Sequence, residues 1–405
     1  MKMKLTCAAA ALCCLSSAAF AADVGGVEVT GYSRGGGVYN YNKDQQVKGG
    51  LTLGGDLQKY RLGNEGDTGV EVNIAKTFDV EGVKYKLDYM PTKWNSGNVG
   101  TEQAFVEMTG LNFAPEAKIW VGQRRLRIQD VHIVDHFLMD YGVNQGSGFT
   151  DLSVGGMKLG VALQTGDTFD AKMAAGTSAN KLNIDLSEIN TNPGGKVRVL
   201  LTSVSTSGLK SSGGSGFTIS HNQSDFGVKG LTNSLFLQTS SGYANINGRF
   251  GDIAKTATSD PYGKKVNRIA DSINWQSGPF GGQAIVGHQT TKSDDPAKNY
   301  TITDTSLGGR ISYAVSKNFK WLVEAGTTAR KFSDSQKSQS LNKVTIAPTL
   351  ALGEEFWSRP ELRFYVTKAN WNQAAADANA DVTSGFGANG RTSQTLAGVQ
   401  YEVWW

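Results

Sequence analysis

The densest group of side chains able to do chemistry lies in GQRRLRIQDVHIVDHFLMDYGVNQGSG, Gly122 to Gly148. It carries Arg124, Arg125, Arg127, Asp130, His132, Asp135, His136 and Asp140, with Phe137 and Tyr141 among them. Metal chemistry is one use of such a set. His132-Ile133-Val134-Asp135-His136 has the spacing of an H-x-x-E-H zinc motif with Asp for Glu. On a helix the two histidines would share a face and grip one ion. The protease chemistry needs that Glu, however, and no third ligand is evident, so no metal site is expected. Glycoside hydrolysis is another use, and it needs two carboxylates about 5–5.5 Å apart in a cleft. Acids are plentiful, but no sequence feature pairs them. No phosphate-binding glycine loop with lysine and no redox motif occurs. An enzyme is not expected, nor a cofactor. What remains is recognition. Mixed charge and aromatics concentrated between strands read as a long connection with a task, one that folds into a pore and narrows it.

The elements around this segment alternate with period two. Val27, Val29 and Gly31 oppose Glu28, Thr30, Tyr32 and Arg34. Thr68, Val70, Val72 and Ile74 oppose Asp67, Gly69, Glu71 and Asn73. Val83, Tyr85, Leu87 and Tyr89 oppose Lys84, Lys86 and Asp88, and Pro360, Leu362, Phe364 and Val366 oppose Arg359, Glu361, Arg363, Tyr365 and Thr367. The last strand repeats the pattern: Val399, Tyr401, Val403 and Trp405 on one face, Gln400, Glu402 and Trp404 on the other. Turn clusters separate the strands at Gly35-Gly36-Gly37, Asn95-Ser96-Gly97-Asn98, Ser211-Ser212-Gly213-Gly214 and Ser293-Asp294-Asp295-Pro296.

Charge on the second face of many strands fits either a solvated sandwich or a wet barrel lumen with lipid against the apolar face. The chain start helps to decide. MKMK followed by LTCAAAALCCLSSAAF, with Ala19-Phe20-Ala21 as a small-x-small site, has the form of a secretory signal over residues 1–21, leaving 22–405 as one domain. Cys7, Cys13 and Cys14 all fall inside it. An exported chain that then uses no disulfide is no stapled scaffold. No later run reaches the roughly 18 apolar residues of a membrane helix. Closed barrels are the other spanning solution. About 18 strands at roughly 21 residues each, connections included, would use the rest of the chain and leave an aqueous channel. The expected fold is therefore all-β: a transmembrane antiparallel barrel of about 18 strands with an inward-folded constriction loop. Lys+Arg number 40 and Asp+Glu 36, so no charge argument favours a nucleic-acid partner.

The chain resembles the maltoporin family of outer-membrane sugar channels. The resemblance rests on Tyr60-Arg61-Leu62-Gly63-Asn64-Glu65, Asp130-Val131-His132 with Asp135, Asn192-Pro193-Gly194-Gly195, Trp357-Ser358-Arg359-Pro360 and Trp404-Trp405, in order across the chain. It implies an 18-stranded barrel in the outer membrane of a Gram-negative cell, usually a homotrimer, passing sugars downhill along lumen aromatics flanked by ionic groups. YRLGNE would belong to an early strand. Tyr32, Trp94, Trp357 and Trp404 match the aromatic line, Trp94 as the residue that reaches a neighbouring subunit's pore mouth. Arg34, Arg61, Glu71 and Asp135 match the ionic track, and Arg127, Asp130, His132 and Phe137 fall in the constriction loop. Trp405 would face lipid at the interface. Such a lane suits pyranoses, whose apolar faces lie on aromatic rings while rim hydroxyls meet charged partners.

Departures thin this track. Gly69 stands where an aromatic is expected, Phe137 where a tyrosine is, and Ile128 where an arginine is, with Arg127 adjacent. The strand near Glu102 carries no arginine. These changes point to a wider or less selective channel. The alternatives are a general or weakly anion-selective pore, suggested by Arg34, Arg61, Arg359 and Arg363, and a secreted β-rich binding protein or hydrolase.

Overall fold

The computed structural model describes residues 22–39, 50–210, 213–253, 262–380 and 386–405. The expected leader, residues 1–21, and the expected turn position Ser211-Ser212 lie outside them. Among the described residues eighteen strands, from Val27–Tyr39 to Ser393–Trp404, pair antiparallel with their neighbours in the barrel. The first strand closes the ring by pairing with Gly69–Val80 on one side and with Ser393–Trp404 on the other. Closure leaves no open edge, as hydrocarbon requires of a backbone that finds no water. A three-residue strand, Ala22–Val24, adds to the first strand. Among the described residues no helix is long and apolar enough to span a membrane; the chain crosses with strands.

The period-two reading assigns both faces. Along Glu361–Trp371 the side chains alternate without exception, Leu362, Phe364 and Val366 exposed, Glu361, Arg363 and Thr367 buried in the lumen. Val286, Leu307, Ile311, Val344 and Ile346 continue the outward apolar band, a lipid-facing surface. Trp405 lies on this outer face against Gly31, whose backbone it pairs with. Short turns such as 155–156 and 278–279 gather at one end and the long connections at the other, which sets the short end toward the periplasm.

Three expectations change. First, the Gly35-Gly36-Gly37 cluster is not a turn: the first strand runs through it, paired with Tyr401, Gln400 and Val399. Gly213 and Gly214 likewise open a strand, Gly213–Gln223. Second, YRLGNE is not part of a strand. Residues 50–68 are irregular and lie inside the barrel. Tyr60 is 1% exposed, and a Cβ on Gly308 or Gly326 would come within 2.5 or 2.1 Å of its ring, so two glycines of the wall make its seat. Leu62 N–H donates to Glu324 (2.9 Å), and Lys343 Nζ donates to Leu62 O (2.5 Å). These backbone groups are satisfied by wall side chains rather than by a ladder. Third, the constriction loop has company. Besides 124–144, the segments 50–68, 243–253 and 352–360 fold inward. A helix Gln373–Ala378, capped by Asn372 accepting from Ala375 N–H (3.0 Å), packs Ala375 and Ala376 against Leu51, Leu53 and Phe386.

Candidate functional site

The constriction loop leaves the wall after a six-residue strand, Lys118–Gln123, and returns at Gln145–Val154. Between them Arg127–Val131 and His136–Asp140 form a small antiparallel ribbon across the lumen. Its tip is a single 3₁₀ turn, His132–Val134, closed by Asp135 at φ 54°. Aspartate is among the few non-glycine residues that accept this left-handed geometry. Ile133, Val134 and Leu138 anchor the tip on Phe236, Ala270 and Ile285 of the opposite wall.

The ribbon, the wall and the inward segments enclose a cavity of about 680 Å³. All twelve residues expected at the site line it. Tyr32, Trp94, Trp357 and Trp404 supply aromatics; Arg34, Arg61, Glu71 and Asp135 supply charge; Arg127, Asp130, His132 and Phe137 come from the loop. Tyr32 and Trp94 lie 6.3 Å apart, ring centre to ring centre. His132 bridges the other two, 5.4 Å from Trp357 and 5.8 Å from Trp404, edge-on to both. The Arg359 guanidinium covers Trp404 at 4.3 Å.

Ionic groups flank this lane in buried clusters. Glu402, fully buried, accepts from Tyr32 Oη (2.9 Å), Arg359 Nε (2.9 Å), Arg363 and His132 Nε2 (3.2 Å), and pairs with Arg61 (2.9 Å). Arg34 pairs with Glu65 and Asp67 at 2.7 Å and Asp135 at 3.1 Å. Burial alone would raise the Asp135 carboxyl, but Arg61, Arg34 and Lys59 overcome it and hold it below the usual carboxylate range. Arg127 lies 4.7 Å over Phe137 and pairs with Asp140 (3.8 Å), which also meets Arg249 (2.8 Å).

The sequence pattern did not assign Arg125, Arg249, Asn247, Asp56, His136 or Asp140 to the lining. Arg125 answers the missing arginine near Glu102: the loop delivers it to Glu102 (3.2 Å) and Glu71 (2.8 Å). Ile128 packs in an apolar cluster with Met139 and Tyr141. The two histidines of the zinc-like motif do not share a helix. His132 Nδ1 accepts from Arg61 (3.0 Å), His136 Nε2 from Arg268 (3.2 Å). Guanidiniums occupy the nitrogens a metal would need.

A closed barrel with an apolar belt, a polar lumen and a loop narrowing the passage defines an outer-membrane porin, a channel and not an enzyme. The chain belongs to the LamB porin family, whose family model matches residues 27–405. It is 28% identical to a maltoporin of Vibrio cholerae serotype O1 over the full length of both chains. It is 26% identical to a maltoporin of Hahella chejuensis over 96% of each. Among solved structures, the outer membrane channel DcaP of Acinetobacter baumannii superposes with a TM-score of 0.53 at 11% identity, covering 94% of this chain and 97% of that one. OpdQ of Pseudomonas aeruginosa gives 0.52 at 7% identity over 94% and 99%. These two share the fold.

Proposed function

We propose that this porin passes sugars and oligosaccharides of maltodextrin-like shape downhill across the outer membrane by a saturable lane. One observation supports the reading: four aromatic side chains, Tyr32, Trp94, Trp357 and Trp404, and charged groups of both signs line one cavity. A pyranose slides with its apolar face on the rings while its hydroxyls exchange partners among the flanking ions. Transit requires that each position bind weakly enough to release. The relatives named maltoporin support the substrate class. Five arginines, Arg34, Arg61, Arg125, Arg127 and Arg249, face six carboxylates in the cavity, a balance that suits neutral solutes better than an anion filter.

The proposal includes a homotrimer, as family membership suggests, and a mature chain starting at Ala22, checked by sequencing the N-terminus of the membrane-extracted protein. The central test is single-channel current in planar bilayers with maltose, maltotriose and sucrose titrated in. Saturable block that ranks the sugars supports the lane. Open channels indifferent to all three sugars refute it and leave a general diffusion pore.

A further inference from the structure

We propose that three lysines on the outer wall, Lys265, Lys292 and Lys331, dock the phosphate-bearing headgroup of an outer-leaflet glycolipid, so that the barrel holds such a lipid on one arc of its circumference. This surface is separate from the lumen and does not depend on what the channel carries.

The strands set the placement. Lys264–Ser277, Phe280–Ser293, Thr301–Ser316 and Phe319–Phe332 lie side by side in the wall. Each of the three lysines stands one residue in from the strand end remote from the short turns at 278–279 and 317–318. That is the outer-leaflet end. Side chains alternate along a strand, so Lys265 shares the face of Ile269, Lys292 that of Val286 and Lys331 that of Trp321. All three of those apolar residues are exposed on the lipid side, and the lysines are exposed with them. Their strand neighbours Arg268, Gln289 and Arg330 turn into the lumen.

The outer face is layered beneath these cations. Asn267 pairs with Thr290, Thr290 with Thr303, and Thr303 with Lys331, a row of amide and hydroxyl groups. Below it come Ile269, Val286 and Leu307 of the apolar band. From Lys265 to Ile269 is about 10 Å of height on a tilted strand. Cation, hydrogen-bonding layer and hydrocarbon follow one another in the order of the phosphate, ester and acyl chains of one lipid.

Charge completes the argument. Lys265 lies directly opposite Lys292 in the register, on one face. Like charges so placed repel, and a shared anion turns that repulsion into attraction. Lys331 stands two strands from Lys292, about 10 Å away, within the span of one phosphorylated headgroup. Among the described residues no carboxylate pairs with any of the three. Acids nearby are taken by other lysines, Asp252 by Lys264 and Asp295 by Lys298. Lysines toward the periplasmic end are neutralised within the chain: Lys118 by Asp151, Lys158 by Glu116 and Lys196 by Glu188. Elsewhere on the outer rim the equivalent positions carry Thr165, Asn180, Ser205 and Ser215, with no cation among them. The unneutralised charge is thus confined to one arc, and lysine, a compact cation on a flexible stem, suits a phosphate there.

The test uses the full chain in neutral polyoxyethylene micelles, which carry no phosphate. Fluorescent lipopolysaccharide, intact or stripped of its phosphates, is titrated into wild type and into Lys265→Gln/Lys292→Gln/Lys331→Gln, with heat-modifiable gel mobility verifying the barrel. Intact lipopolysaccharide binds the triple variant at least about thirtyfold more weakly, taking about fivefold for each lysine beside an anionic headgroup and some coupling between neighbours. The dephosphorylated form binds both proteins alike, at the variant's strength. Lys158→Gln, at the opposite end, binds as wild type does. Lys292→Gln alone gives a readout of opposite sign. Without lipid, relief of its repulsion from Lys265 leaves the urea midpoint at or above that of wild type; with intact lipopolysaccharide the midpoint falls below it. The proposal is overturned if the triple variant binds intact lipid within about twofold of wild type, or if wild type binds the dephosphorylated form equally well. It is also overturned if the triple variant leaves an oligomer that wild type forms without lipid, which would assign the lysines to a contact between copies of the chain.

Discussion

Removing the carboxylate of Glu402 is the severest single test of the buried ionic lining. Glu402 is 0% exposed and meets Arg61, Arg359, Arg363, His132 and the Tyr32 hydroxyl. In Glu402→Ala the arginines keep other acids: Arg61 keeps Glu65 (2.7 Å) and Asp135 (4.0 Å), while Arg359 (3.2 Å) and Arg363 (2.5 Å) keep Glu361. The two buried acids that remain, Glu65 and Glu361, would then serve five cations: Arg34 and Arg61 on the first, Lys320, Arg359 and Arg363 on the second. Breaking a buried ion pair from one side costs about 3–5 kcal/mol, and the surviving acids place this change near 3 kcal/mol. Glutamine does not rescue it. One of its two head atoms becomes an NH₂ that must face either Tyr32 and Arg61 or Arg359 and Arg363, donor against donor. The control is Asp151→Asn at the exposed Lys118–Asp151 pair, side chains 47% and 43% exposed, where about 0–1 kcal/mol is expected. Urea unfolding of the barrel in lipid vesicles, followed by tryptophan emission and gel mobility, measures both. A Glu402→Ala barrel within about 1 kcal/mol of wild type refutes the view that this carboxylate neutralises the cluster.

Gly326→Ala sets a methyl against the Tyr60 ring, so the inward segment 50–68 loosens; stability falls by about 1–3 kcal/mol and sugar-free conductance rises. Val366→Arg puts a cation on the lipid face near mid-strand and costs about 2–4 kcal/mol in bilayers, a loss that thin micelles lessen. Burial and the Arg268 guanidinium lower the His136 pKa to about 4. Its folded value is below the unfolded one of about 6.5, so the unfolded chain binds the extra proton and stability falls as pH drops from about 6.5 toward 4. Urea midpoints across that window should slope less in His136→Gln; equal slopes in the two proteins would remove His136 as the cause.

Much of the architecture is legible in the chain. Period-two alternation is a local property of extended backbone, so Leu362/Arg363 or Tyr401/Glu402 declare their faces before any partner strand is known. The loss of that period at Gly122–Gly148, with its arginines and aspartates, marks a segment that could not be wall. Tyr60 to Glu65, which the resemblance places on an early strand, is instead an irregular segment that packs one side on wall glycines and turns the other to the ion clusters.

By itself, then, the sequence determined the barrel, its inside and outside, the loop that narrows it, and the polar face on which Tyr32, Arg34, Glu71 and Trp404 stand. Only the tertiary structure decided which groups meet. Arg125 reaches Glu71 from 54 positions away, His132 reaches Trp404 across the whole barrel, and Trp94 fills the space over Gly69. The physical reason is ring closure. Strand pairing and inward folding bring together residues that no periodicity relates, and in a narrow polar lumen those encounters, not the local pattern, fix where charge and aromatic surface lie.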